Sequence, residues 1–395
     1  MMRKPRWIIV LAGLVFLCVL SIAIVAISNQ RLPTHSAAVE HLSEEQKMLL
    51  AEAAHQRRSL GDTVWPGWGD ADIAFVVYNE AYAFLVGYQG TPADGWQRVP
   101  GDETIGAAWE QVPGDAFFGE PYYRQALVAG GAHPQAFTVR VGDQWAASMP
   151  TKEWLEIDFV QQFRESLPSF VRPVLPYALI RNLFLGGSEK YISLLSHESF
   201  HAFQGLNAEE RLLQAELANR RYQEHYPWED RSLETAWDAE LTLLADAAEE
   251  AQNGASDERL AEMARQFLIL RERRREANDL NSMQVQFEQQ REWVEGQAKY
   301  MELQSWLLAS EDDYTPLPDA AERNDLASYK GADDAWSKEI DQIRRMAGDH
   351  GDGRFYYSGL AQAVLLDHLR PGWKAEVLNG EATLEALLSE GLGPQ

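Results

Sequence analysis

Two histidines and a glutamate in the segment His197-Glu198-Ser199-Phe200-His201 have the types and spacing of a metal site. Residues four apart lie one turn apart on the same face of an α-helix, so both imidazoles can reach one ion. Glu198 is displaced around the helix and can take a proton from a water molecule without binding the ion. Chance alone would produce H-E-x-x-H in roughly 3% of chains of this composition, so the segment suggests a zinc hydrolase site without establishing it.

The third ligand of such a site should be a carboxylate. A catalytic zinc ion generally has three protein ligands, but no third histidine follows His201 at the metzincin spacing, and Cys18 is the only cysteine. Two helical segments offer candidates: "SLETAWDAELTLLADAAEE" contains Glu240, and "QQREWVEGQAKYMELQSWL" contains Glu295 beside Gly296. Small residues next to a carboxylate let a second helix approach closely. This favours Glu295 as the ligand and leaves Glu240 as the alternative.

Three short motifs between residues 191 and 369 together resemble the gluzincin metallopeptidases. They are His-Glu-x-x-His at 197–201, Glu-Gly-x-Ala-x-Tyr at 295–300 and the Tyr-x-x-Gly of "RFYYSGLAQAVLLDHL" at 356–359. The resemblance does not extend to the N-terminal part of the chain. The Gly-x-Met-Glu-Asn segment, with which aminopeptidases of this kind hold the substrate amine, is missing from the sequence.

The resemblance implies a zincin-like fold and a set of site residues. One Zn2+ ion would be held by His197, His201 and Glu295, although iron also suits two histidines and a carboxylate. Glu198 would be the catalytic base. Tyr356 would stabilise the oxyanion, with its neighbour Tyr357 as the alternative.

The function predicted on this basis is zinc-dependent hydrolysis of peptide bonds in a peptide or protein substrate. One alternative is a membrane-tethered binding or assembly protein whose metal site is structural or inactive. Another is a zinc hydrolase that acts on non-peptide amides or esters. Nucleic acid is an improbable partner, because a formal net charge of −25 would repel phosphates.

The N-terminal residues predict a membrane anchor. Arg3, Lys4 and Arg6 precede the uncharged run Trp7–Ser28, which as a helix is long enough to cross a hydrocarbon core of about 30 Å. The run is longer than the apolar part of a signal peptide and lacks a good cleavage site, so an uncleaved signal anchor is favoured over a cleaved signal. The basic residues in front of the run place the N-terminus in the cytoplasm. The sequence therefore predicts a single-pass protein of the cell membrane with an extracytoplasmic catalytic domain.

The patterns that follow the anchor divide the chain into further parts. Residues 1–31 are the cytoplasmic tip and anchor, 32–60 a tether and short helix, 61–150 a β-rich subdomain, and 151–395 a mainly helical catalytic domain. Two apolar runs that flank Asn79-Glu80 predict a β-hairpin or a closely related strand pair. Alternation at Phe137, Val139 and Val141 predicts a strand that ends in a Gly142-Asp143 turn. Thr151 is a plausible N-cap. Helical periodicity predicts helices at 188–204, 207–224, 231–252, 257–279, 283–308 and 354–369. The predicted fold class is thus α+β, behind an N-terminal transmembrane helix.

Overall fold

The computed structural model describes residues 6–128, 130–323, 325–326 and 329–393. Arg3 and Lys4, two of the basic residues in front of the predicted anchor, lie outside the described residues. The described chain is mainly helical and has a β half-barrel in its N-terminal part. The strands all lie between residues 74 and 150, and most of the helices follow them.

The half-barrel is one sheet of eight strands. The strands are β1 Ala74–Tyr78, β2 Tyr82–Val86, β3 Trp96–Arg98, β4 Thr104–Ile105, β5 Glu110–Gln111, β6 Tyr123–Ala126, β7 Phe137–Val141 and β8 Gln144–Pro150. Their order in the sheet is β4-β3-β7-β8-β1-β2-β6-β5. Only β1 and β8 pair in parallel, with Val76 opposite Ser148; the other neighbouring strands are antiparallel.

Two predicted hairpins are confirmed at the centre of this sheet. The side chain of Asn79 accepts hydrogen bonds from the backbone N–H groups of Ala81 and Tyr82, at 2.9 and 2.8 Å, and so closes the turn between β1 and β2. Between β7 and β8, Gly142 has a φ of 59°, which a glycine adopts without strain. Both turns therefore have the residues that their geometry requires.

Several of the helices begin at capping side chains that the sequence supplies. Their ranges are α1 Arg6–Asn29, α2 Glu44–Val64, α3 Lys152–Ser166, α4 Tyr177–Leu185, α5 Ser188–Tyr222, α6 Arg231–Gln252, α7 Asp257–Ala277, α8 Ser282–Arg291, α9 Gln297–Ala309, α10 Pro318–Ala321, α11 Ala332–Arg345, α12 Gly353–Leu369, α13 Trp373–Asn379 and α14 Leu384–Gly391. The predicted cap at Thr151 is confirmed, since its hydroxyl accepts a hydrogen bond from the N–H of Trp154 at 3.3 Å. The capping side chains replace hydrogen bonds that the first turn of a helix lacks.

Three of the predicted helices differ from those observed. The segments predicted at 188–204 and 207–224 form the single helix α5, in which only Ala208 has non-helical backbone angles. The segment predicted as one helix at 283–308 is α8 and α9 joined by a π-helical turn, Glu292–Gly296, called here the π-turn. Helical periodicity cannot reveal such a turn, because it inserts a single residue without changing the general pattern.

Helix α5 packs directly on the half-barrel. A Cβ atom added to Gly205 would lie 2.4 Å from Cδ2 of Trp145, so the indole of this β8 residue rests against the α5 backbone. Ile192, Leu195 and Phe200 on α5 are fully buried in the large hydrophobic core that the sheet and the helices share. The first half of α5, which carries the histidine pair, is therefore fixed in position by packing.

A cluster of buried ion pairs joins α6, α7, α8 and the π-turn. Arg271 of α7 donates hydrogen bonds to Glu240 of α6 and to Glu292 of the π-turn. Arg274 binds Glu240 and also Glu288 of α8. Breaking one such pair leaves the other charge buried without a partner, which typically costs about 3–5 kcal/mol. This arginine cluster therefore makes the relative position of these helices specific.

The predicted fold class and membrane anchor are wrong. Among the helices in the described ranges, none is both long enough and apolar enough to cross a membrane. The end of α1 is moreover bound to the folded body, because Asn29 Nδ2 donates a hydrogen bond to the carbonyl oxygen of Leu175 at 2.8 Å. The single-pass membrane location that was inferred from the anchor is wrong with it.

The arginine cluster predicts a loss of stability in acid. Burial alone would raise the pKa of Glu288, but Arg274 and its neighbours lower it from 4.5 to about 2. Arg271 and Arg275 likewise outweigh burial and lower the pKa of Glu385 to about 2. These carboxylates therefore stabilise the fold above pH 4.5, and their contribution is lost as the pH falls from 4.5 to about 2. It is at most on the order of 3 kcal/mol for each group.

Urea unfolding of the wild type and of Glu288→Gln, both in chelator and between pH 7 and pH 3, measures this contribution. The wild type should lose stability more steeply than the variant below pH 4.5, because the variant has no carboxyl group to protonate at this position. Equal slopes for the two proteins would contradict the assignment.

Candidate metal centre

Helix α5 brings His197 and His201 to the same side of the core. The two residues are 6% and 1% exposed, and their ring centroids are 4.8 Å apart. The ring of Phe137, the first residue of β7, lies 4.4 Å from the ring of His201. The histidine pair therefore faces the point at which strand β7 begins.

The π-turn supplies a carboxylate to this pair. Glu295 is 3% exposed, and its Oε2 atom lies 3.4 Å from Nε2 of His197 and 3.3 Å from Nε2 of His201. The three ligand atoms lie within 4.8 Å of one another. Glu295 Oε2 is buried without a hydrogen-bond partner, which is an arrangement that a cation would satisfy. The buried triad of His197, His201 and Glu295 can therefore hold a metal ion, whose identity this geometry does not determine.

A close contact between two glycines positions the π-turn. A Cβ atom on Gly296 would lie 2.4 Å from Cα of Gly359, and one on Gly359 would lie 2.7 Å from the carbonyl oxygen of Glu292. The backbones of the π-turn and α12 therefore touch at this point, which we call the Gly296–Gly359 crossing. Neither position has room for a side chain.

An arginine holds the second oxygen of Glu295. Arg291 donates a hydrogen bond to Glu295 Oε1 at 2.6 Å and forms an ion pair with Asp352, just before α12, at 2.7 Å. Burial alone would raise the pKa of Glu295, but His201 and Arg291 lower it well below its usual value. Glu295 is thus an ionised carboxylate with one oxygen held by arginine and the other directed at the histidines.

The electrostatics of the site favour positive charge between these residues. Burial alone would lower the pKa of His197, but the carboxylates of Glu295 and Glu302 raise it to about 10. In the metal-free protein the imidazole is consequently protonated at neutral pH. A bound cation would take the place of this proton.

Glu198 follows His197 on α5, but it is not one of the three residues whose ligand atoms come together. Its side chain is 8% exposed, and Oε2 is buried without a hydrogen-bond partner. Burial raises the pKa of this carboxyl group to about 7, although His197 and His201 oppose the shift. One oxygen of Glu198 is therefore available to a molecule that enters the site.

The two candidate tyrosines have different surroundings. The ring of Tyr356 stacks on that of His197, with centroids 5.9 Å apart and an interplanar angle of 10°. Burial and the adjacent Glu295 carboxylate raise the pKa of Tyr356 well above its usual value. The hydroxyl of Tyr357 instead donates a hydrogen bond to Glu339 at 2.5 Å. The structure therefore brings Tyr356, and not Tyr357, to the metal centre.

The alternative third ligand, Glu240, is part of the arginine cluster. Its side chain is fully buried, and its two oxygens accept hydrogen bonds from Arg271 and Arg274. The residues brought together with the histidines do not include it. A carboxylate that already has two guanidinium partners has no need of a cation.

Several residues at the site were not predicted from the sequence. Glu302 Oε2 lies 3.4 Å from Nδ1 of His197, and Gln204 Oε1 lies 2.9 Å from Nδ1 of His201. Glu198 is close enough to Tyr78, the last residue of β1, to raise the pKa of that phenol in addition to the effect of burial. Helical spacing was an available signal, since Gln204 follows His201 by three positions and Glu302 follows Glu295 by seven.

Comparison of the chain with protein-family models, with curated proteins and with solved structures finds no match.

The geometry predicts which carboxylate is needed for metal binding. The wild type, stripped with chelator and reloaded, should bind one Zn2+ ion per chain, and Glu295→Ala or His201→Ala should lose this ion because a ligand is missing. The Glu240→Gln variant should keep the ion, but the stability of its fold should fall, because Arg271 and Arg274 lose a charged partner. Metal content by mass spectrometry and unfolding in urea measure the two effects. Full occupancy in Glu295→Ala would contradict the assignment.

The Gly296–Gly359 crossing should be needed for both stability and metal affinity. Gly359→Ala forces the backbones of α12 and the π-turn apart, since the added methyl group meets backbone atoms that cannot rotate away. We expect a loss of about 1–3 kcal/mol in stability and weaker binding of Zn2+.

Gly348→Ala is the matched control, because an added Cβ would meet only the flexible side chain of Glu234, at 3.2 Å. The control should have nearly wild-type metal affinity and stability. Similar effects of the two substitutions on metal affinity would contradict a specific role for the crossing.

Proposed function

We propose that this chain is a zinc-dependent peptidase of the gluzincin type, which hydrolyses peptide bonds. The observation that carries the proposal is the convergence of Glu295 on His197 and His201, from a π-turn that is distant in the sequence. Glu198 and Tyr356 lie at the same place, where the resemblance to gluzincins expects a base and an oxyanion donor. Two histidines and one carboxylate form a ligand set typical of catalytic zinc.

Different residues of the chain have different roles in the proposed reaction. Bound zinc supplies Lewis-acid chemistry, which polarises a peptide carbonyl and makes water acidic near neutral pH. Glu198, with its free oxygen, accepts a proton from the attacking water and returns it to the amine when the carbon–nitrogen bond breaks. The hydroxyl of Tyr356 donates a hydrogen bond to the oxyanion, an interaction commonly worth about 3 kcal/mol. The raised pKa of Tyr356 keeps this donor protonated.

The sheet supports an extended peptide as the substrate. Strand β7 pairs with β8 as far as Phe137, whereas its pairing with β3 involves only Val139 and Arg140. The β3 side of the partly exposed Phe137 is therefore outside the ladder, and its ring lies close to that of His201. An extended substrate could continue the sheet at this position, with its backbone bound by strand pairing beside the metal.

The sharpest test of the proposed reaction is Glu198→Gln. This substitution keeps the shape of the side chain and all three metal ligands but removes the proton acceptor. Zinc content and thermal stability should remain close to those of the wild type, while hydrolysis of a peptide library, followed by mass spectrometry, should fall by a factor of at least about 100.

Asp158→Asn on α3 is the control, because this carboxylate is half-buried and has no assigned role at the metal. It should cleave the library at nearly the wild-type rate. Undiminished cleavage by Glu198→Gln would contradict the mechanism. Stoichiometric zinc without cleavage in the wild type would instead favour a binding protein, and cleavage of amides or esters alone would favour a non-peptide hydrolase.

A further inference from the structure

Two residues outside the ligand triad contact the far nitrogens of the metal-binding imidazoles. Gln204 faces Nδ1 of His201, and Glu302 faces Nδ1 of His197. Both side chains are buried, with exposures of 0% and 1%. A neutral imidazole can present only one lone pair to an ion, so the group opposite Nδ1 decides whether Nε2 is free to bind.

The orientation of the Gln204 amide is determined by the π-turn. Its Nε2 atom donates hydrogen bonds to the carbonyl oxygens of Trp293 and Val294, at 2.9 and 3.2 Å. Carbonyl oxygens only accept, so the nitrogen of the amide must lie on this side and Oε1 must face His201. Because Oε1 also only accepts, Nδ1 of His201 must be the donor. Nε2 of His201 then has the lone pair directed toward Glu295.

The π-turn is what makes these carbonyls accessible to Gln204. A π-turn interrupts the regular hydrogen-bond pattern of an α-helix, and a carbonyl oxygen has a second lone pair for an outside donor. Gln204 thereby links three components: the helix of the histidine pair, the turn that carries Glu295, and the protonation of His201. This contact couples the position of the third ligand to the tautomer of the second.

Glu302 faces Nδ1 of His197, as Gln204 faces Nδ1 of His201. Its Oε2 atom lies 3.4 Å from Nδ1 of the imidazole, and its Oε1 atom is bound by Lys190 at 2.5 Å and by Lys299 at 3.2 Å. This contact is an ion pair and not a hydrogen bond, since Nδ1 of His197 has no hydrogen-bond partner in the structure. A carboxylate with two lysine partners stays ionised and accepts only, so it favours the proton on Nδ1 of His197. Glu302 lies two helical turns beyond Glu295, on the same face of the helix.

We propose that Gln204 and Glu302 are the positioning residues of this metal centre, and that they hold His201 and His197 with the proton on Nδ1 and Nε2 directed at the ion. The inference rests on the metal centre of the proposed function, but it does not depend on peptide hydrolysis. The two residues differ in charge: His201 is held by a neutral amide and His197 by a carboxylate whose charge two lysines balance.

The affinity for Zn2+, measured by competition with a chromogenic chelator, tests the proposal. Gln204→Leu and Glu302→Gln should each weaken binding by about 10–100-fold, the usual effect of removing such a partner. Gln204→Glu keeps an acceptor for Nδ1 and should bind Zn2+ more tightly than Gln204→Leu. Equal affinities of these two Gln204 variants, or a wild-type affinity in Glu302→Gln, would overturn the proposal.

Matched controls separate positioning from general destabilisation. Glu288→Gln removes a buried carboxylate of the arginine cluster, and Gln362→Met removes a fully buried amide on α12. Both should lower stability without weakening Zn2+ binding. A loss of affinity in the controls as large as in the Gln204 and Glu302 variants would overturn the specific role.

Long-range 1H–15N NMR of the zinc-loaded protein reads the tautomers directly. The wild type should show a proton on Nδ1 of both histidines, and Glu302→Gln, whose amide can also donate, should weaken this preference at His197 alone. A proton on Nε2 of either histidine in the wild type would overturn the proposal. This measurement uses no substrate, so it separates failure of the positioning role from failure of the proposed peptidase activity.

Discussion

The contact between Gly296 and Gly359 is the constraint on which the rest of the metal centre depends. Two backbones touch there, and no larger residue fits at either position. The contact brings the π-turn, which carries Glu295, against α12, which carries Tyr356. Arg291 reinforces it by binding both Glu295 and Asp352 at the start of α12. Because the π-turn is held against α12, the carboxylate of Glu295 faces the histidine pair.

Burial and charge then determine what this point of the molecule can bind. A protonated His197, an ionised Glu295 and an ionised Glu302 lie together in an interior with little access to water. Such a group of charges is costly unless each member has a partner. Lys190 and Lys299 are the charged partners of Glu302, and Arg291 is the charged partner of Glu295. The point between the imidazoles and Glu295 remains the natural position for a cation.

Local patterns predicted those parts of the molecule that depend on neighbouring residues. The histidine pair, the Asn79 turn and the Thr151 cap each lie within a few positions of their partners, so spacing and residue type were sufficient. Glu295 was favoured over Glu240 because of its small neighbours, and the Gly296–Gly359 crossing gives that argument its physical basis. Gln204 and Glu302 also lie at helical spacing from His201 and Glu295. Their roles nevertheless depend on side-chain orientations that only the tertiary structure determines.

The features that sequence reasoning missed are those that depend on distant contacts. The π-turn adds one residue inside an otherwise regular pattern, and the parallel pairing of β1 with β8 joins strands far apart in the chain. Whether Tyr356 or Tyr357 faces the metal centre depends on how α12 is rotated about its axis. The Gly296–Gly359 crossing fixes this rotation. The membrane anchor was predicted from a long uncharged run behind basic residues, and none of the helices that the structure describes meets the combined requirement of length and apolarity.

The most direct measurement of the central claim is the anomalous scattering of a zinc-loaded crystal at the zinc edge. The account predicts one strong peak per chain, bound by Nε2 of His197, Nε2 of His201 and Oε2 of Glu295, with Gln204 and Glu302 on the opposite nitrogens. A peak elsewhere in the chain, coordination through Glu240, or no ordered zinc at the histidine pair would contradict it.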